Sequence, residues 1–114
     1  MDQQLLDFIR TLSINDKKTL IGKALKSAEE CGELAKAVLP FENAPGTTHR
    51  FIEKNKILQE CVDLMLTAMS IVYDLGYSDE ELFSMMEKSL LNGLNCSQKS
   101  KRLKLQFLMK CMSQ

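Results

Sequence analysis

Apolar residues recur at helical spacing along almost the whole chain, and the interruptions mark where helices end. Leu5, Leu6, Ile9 and Leu12 form one stripe and predict a short first helix over 2–12. Ser13, with Asp16 three positions later, resembles a capping box and predicts a second helix beginning near 15. Its apolar positions Leu20, Ile21, Leu25, Ala28, Ala35 and Val38 carry it to about Leu39, where Pro40 blocks continuation. Gly22 and Gly32 lie inside it, each costing about 1 kcal/mol relative to alanine, which points to close packing or to simple tolerance. Residues 40–49 read as a loop, with both prolines, a glycine and the candidate caps Thr47 and Thr48. A third helix should run from about 49 to 75, with Gly76 as its stop. Ser78 with Glu81 is a second capping box and opens a helix from 79 to about 92. Residues 101–112 read as a final helix or a basic tail.

This pattern predicts an all-α fold of four to five helices, in which two long helices joined by a short loop pack antiparallel. Composition agrees, since Leu, Lys, Glu, Met and Ala dominate and only two prolines and five glycines occur among 114 residues. No apolar run is long enough to span a membrane, and the N-terminus lacks a secretory pattern. The four cysteines form no CxxC pair, and the single His49 completes no zinc motif with them, so reduced thiols and a cytoplasmic location are expected.

Formal net charge is zero but uneven. Residues 1–95 hold 10 Lys/Arg and all 15 Asp/Glu; residues 96–114 hold five Lys/Arg and no acid. A general nucleic-acid footprint is therefore absent, and the basic 96–114 segment is set apart from a helical domain over 1–95.

The acids concentrate in two clusters. Glu29, Glu30 and Glu33 share a face of the second helix, and Glu60 and Asp63 share a face of the third. Glu30-Cys31-Gly32-Glu33-Leu34 is echoed by Glu60-Cys61-Val62-Asp63-Leu64, 30 residues later. Antiparallel packing would bring the two clusters opposite each other. Asp63 precedes a nearly all-apolar run, and carboxylates turned toward a core must be protonated, paired or bound to metal. An all-oxygen cluster suits Mg²⁺ or Mn²⁺. The plain alternative is a solvated acidic face, the usual meaning of EExxE by itself.

The pattern K-x-x-E-E-x-x-E-L at Lys26, Glu29, Glu30, Glu33 and Leu34, followed by E-x-x-D at Glu60 and Asp63, resembles the MazG-like all-α nucleoside triphosphate pyrophosphohydrolases. The apolar continuation, the YDLGYSDEEL segment and a helix carrying Lys88 and Asn92 extend the likeness over residues 15–95. The resemblance implies hydrolysis of a (d)NTP to the monophosphate and pyrophosphate, for house-cleaning or dNTP-pool control. It implies Glu30, Glu33, Glu60 and Asp63 as Mg²⁺ ligands, with Mn²⁺ a possible substitute. Glu29, Glu30 and Glu33 would be the catalytic acids, Glu29 either as a ligand or orienting the attacking water. Lys26, Lys88 and Asn92 would meet the substrate. A homodimer or homotetramer is also implied, while hydropathy and charge argue against a membrane or nucleic-acid partner, the basic 96–114 segment alone leaving nucleic-acid or anionic-surface contact open. The rival reading is a helical binding or regulatory protein with weakened catalysis. It is motivated by Asn95, which stands near where relatives carry a basic residue, and by the unmatched 96–114 segment. A di-iron bundle ranks last, because the Glu-x-x-His ligand pairs are missing.

Cys31 and Cys61 read as structural thiols, and Met65, Met69, Met85 and Met86 as core filler. Phe41, Phe51, Tyr73, Tyr77 and Phe83 read as core or interface rather than base-stacking residues.

Overall fold

The computed structural model describes residues 2–46, 53–93 and 99–113, with side chains of 99–105 outside the description. Its secondary structure is all helical: α1 (Gln3–Asn15), α2 (Leu20–Phe41), α3 (Lys54–Asp74), α4 (Asp79–Asn92) and α5 (Lys99–Met112). The chain divides into two compact units, Met1–Tyr77 and Ser78–Gln114. The division falls at the turn before α4.

In the first unit α2 and α3 run antiparallel. Lys23, near the start of α2, reaches Asp74 at the end of α3, while Glu30 lies against Glu60 and Asp63 farther back. Helix α1 packs on the same pair: Arg10 stacks its guanidinium 5.3 Å from the centre of the buried Tyr73 ring. Lys23 ties all three helices together. Its side chain is almost fully buried, its Nζ donates to the Ser13 carbonyl at 2.9 Å, and Asp74 balances the charge at 3.5 Å.

Two helix ends differ from expectation for one local reason. Ser13 does not cap α2; its hydroxyl donates back to the Ile9 carbonyl at 2.7 Å, so α1 continues through it to Asn15. Thr19 is the cap, its hydroxyl accepting from the Gly22 N–H at 3.0 Å. At the other end, Pro40 is accommodated in the last turn of α2 rather than ending it. The chain leaves the helix only after Phe41, through Asn43 at φ +57°. Helix α3 starts at Lys54; the expected caps Thr47 and Thr48, together with His49 and Phe51, lie outside the described residues. Its stop is as expected. Gly76 takes φ +86°, the Gly76 N–H bonds the Tyr73 carbonyl, and the Tyr77 N–H bonds the Val72 carbonyl, as a Schellman motif requires.

In the second unit, the Ser78–Glu81 capping box is formed in both directions, and Asp79, Glu80 and Glu81 place negative charge at the positive end of α4. Residues 99–112 are helical, as α5.

The burial pattern of α2 inverts the usual one. Its covered face holds Lys23, Glu30, Ala37 and Pro40. Its apolar positions Ile21, Leu25, Ala28, Ala35 and Leu39, spaced by alternating steps of four and three once Gly32 is included, are exposed. Helix α3 likewise exposes Leu58, Val62 and Met65, and of the four methionines expected in the core only Met69 is buried. A Cβ at Gly32 would meet nothing within 4 Å, so within this chain the glycine is simple tolerance.

Thr19→Ala should destabilise the fold by about 1 kcal/mol, the usual cost of losing an N-cap. Ser13→Ala should stay within about 0.5 kcal/mol, because back-bonding inside a helix contributes little. Urea unfolding of the two variants checks the assignment; the reverse ranking would make Ser13 the cap.

Candidate metal centre

Glu30 is a full turn beyond Lys26 on α2, and Glu60 and Asp63 occupy i and i+3 on α3. Antiparallel pairing makes these two faces meet. One carboxylate oxygen from each of Glu30, Glu60 and Asp63 lies within 4.8 Å of the others. Glu30 and Glu60 are buried and Asp63 half-buried.

The other two acids stand differently. Glu29 is exposed and pairs with Lys26 at 3.4 Å. Glu33 is exposed and pairs with Lys36 at 3.8 Å, yet its charge still bears on the Lys56 ammonium, which places it beside the cluster. The expected five carboxylates therefore resolve into three that converge, one adjacent and one at the rim.

Two lysines neutralise the buried pair. Lys56 Nζ lies 2.7 Å from Glu60, and Lys26 Nζ lies 3.0 Å from Glu30. Both ammoniums are held above the ordinary lysine range. For Lys56 the chief cause is the hydrogen bond to Glu60, then the Glu60 charge, with smaller contributions from Asp63 and Glu33. For Lys26 it is the hydrogen bond to Glu30, followed by that to Glu29. Lys56 was not foreseen as a site residue. Its signal was present, four residues before Glu60 on the same face.

The donor set fits a hard divalent cation: it is all oxygen, it comes from two separate helices, and its negative charge exceeds that of the two lysines beside it.

Lys88 and Asn92 belong to the second unit. They sit four apart on α4 and line, with Ser84, Glu87, Leu91 and Gln106, a pocket of about 250 Å³. Cys31 and Cys111 are exposed and Cys61 is half-buried; all three are free thiols, and Cys96 lies outside the described residues.

Lys56 holds one oxygen of Glu60 and so competes with a bound cation for that carboxylate. Lys56→Met should therefore raise Mn²⁺ affinity severalfold in isothermal calorimetry. An unchanged or lowered affinity would mean that the lysine does not compete for the carboxylate.

No family model, curated protein or solved structure matches the chain.

Proposed function

We propose that this protein is a Mg²⁺-dependent nucleoside triphosphate pyrophosphohydrolase, cleaving (d)NTPs to monophosphate and pyrophosphate. The observation that carries the reading is the convergence of Glu30, Glu60 and Asp63 from two antiparallel helices. It is supported by the likeness of the two acidic motifs to those of the MazG-like enzymes.

Glu30, Glu60 and Asp63, joined by Glu33, would hold Mg²⁺, or Mn²⁺ in its place. The metal would supply charge neutralisation and Lewis acidity at the scissile phosphoanhydride. The chain's own residues do the rest. Glu29, at the rim, orients water toward the phosphorus. Lys26, already bridging Glu29 and Glu30, meets the substrate's negative charge once the cation takes over Glu30. Lys88 and Asn92 are assigned to substrate contact on motif grounds alone.

The functional unit is a homodimer or homotetramer. The Ile21, Leu25, Ala28, Ala35 and Leu39 stripe on α2 is exposed in one chain, and such a stripe is stabilised by burial against another copy. Among the described residues no helix is long and apolar enough to cross a membrane. Free thiols suit a reducing compartment, which favours the cytoplasm.

Incubation with a panel of NTPs and dNTPs plus Mg²⁺, scored for pyrophosphate, should reveal turnover of at least one nucleotide. Asp63→Asn should lower that rate at least about 100-fold while leaving the helical circular dichroism intact. No turnover by a folded sample contradicts the enzymatic reading. Nucleotide binding without hydrolysis would favour the helical binding protein, which the lysine-closed state of the triad also suits. In light scattering, Leu25→Asp should shift the protein to a monomer; an unchanged mass would exclude the α2 stripe as the interface.

A further inference from the structure

A second feature lies beside the carboxylate triad and is lined by lysines rather than by a cluster of acids. A pocket of about 200 Å³ opens between the start of α2 and the later part of α3. Lys18, Lys23 and Lys26 line it, with the hydroxyl residues Thr67 and Ser70, Leu66 and one acid, Asp16. Its position follows from helical register. Lys26 is one turn before Glu30 on α2, and Thr67 is one turn after Asp63 on α3. Since the two helices are antiparallel, both steps lead in the same direction, away from the triad and into the pocket.

The three lysines have different roles. Lys23 is a buried wall of the pocket, its ammonium fixed on the Ser13 carbonyl and balanced by Asp74, so the charge open to an anion comes from Lys18 and Lys26. Lys18 is exposed and makes no ion pair among the described residues; its backbone N–H takes up the Asp16 carboxylate at 3.0 Å. Lys26 belongs to both places, lining the pocket while its ammonium rests on Glu30. Thr67 spends its hydroxyl proton on the Asp63 carbonyl at 2.8 Å, so Ser70 supplies the neutral donor. The nearby N-terminus of α2 adds the positive end of a 22-residue helix.

We propose that this pocket binds the distal phosphoryl groups of the substrate, those that depart as pyrophosphate, and that Lys26 couples it to the metal centre. The inference rests on the pyrophosphohydrolase reading for the identity of the anion, but its geometry is independent of that reading. A cation on Glu30 releases the Lys26 ammonium, and the pocket is the adjacent place for it to meet an anion. Cation and anion then strengthen each other's binding, and by linkage the effect is mutual.

The test is calorimetry on the full chain with Mn²⁺ alone, with inorganic pyrophosphate alone, and with pyrophosphate at saturating Mn²⁺, corrected for the metal–pyrophosphate complex in solution. Wild-type protein should bind pyrophosphate more tightly when Mn²⁺ is present. Lys18→Met, at an exposed position, should weaken pyrophosphate about tenfold and leave Mn²⁺ affinity within about twofold. Ser70→Ala should weaken pyrophosphate severalfold. Lys26→Met should abolish the Mn²⁺ enhancement. Unchanged pyrophosphate affinity in both Lys18→Met and Ser70→Ala overturns the pocket while leaving the metal centre standing. Pyrophosphate binding that is lost in Lys18→Met, in a protein that takes no Mn²⁺, keeps the pocket and removes the metal reading. Binding of neither ligand overturns both.

Discussion

Glu30, Glu60 and Asp63 repel one another, and the first unit is arranged around that repulsion. At separations within 4.8 Å and an effective dielectric near 20, two full charges repel by at least about 3.5 kcal/mol. Burial of Glu30 and Glu60 removes the water that would otherwise relieve it. Lys26 and Lys56 supply part of the compensation, each from one turn earlier on the same helix as its partner. A divalent cation is the ligand that would complete it, because it delivers two charges to a single point between the helices.

The same arrangement accounts for the outer surface of α2. The face turned to α3 is occupied by Lys23, Glu30, Ala37 and Pro40, so the regular apolar stripe from Ile21 to Leu39 has to face away. A helix that gives its inner face to charge and its outer face to leucine and isoleucine is stable only if something covers the outside. In the proposed oligomer a second copy of the chain would do this, and self-association and the acidic site would be two consequences of one helix's patterning. Lys23 limits the cost at the inner face: its ammonium satisfies the end of α1 and the end of α3 together, through Ser13 and Asp74.

Much of this was legible in the residues. Helical periodicity, the Ser78–Glu81 box and Gly76 located α4 and the end of α3 closely, because those signals act within a few residues of themselves. The start of α2 was not legible, because Ser13 can either cap a following helix or bond back into its own, and sequence does not choose between them. The E-C-x-acid-L echo correctly placed Glu30, Glu60 and Asp63 in one cluster. It did not reveal that Glu29 and Glu33 stay exposed, since a helical face spans more residues than a convergence point admits. Which apolar stripe was core was also hidden. Periodicity shows that a helix has an apolar side and leaves open whether its own chain or another covers it.

A divalent cation held by Glu30, Glu60 and Asp63 would take the place of Lys26 and Lys56. The most direct measurement is anomalous diffraction from crystals grown with Mn²⁺. The expected result is a manganese peak within bonding distance of all three carboxylates, with both lysine ammoniums withdrawn from Glu30 and Glu60. A cluster still closed by its two lysines, with no manganese or with manganese bound elsewhere, would contradict it.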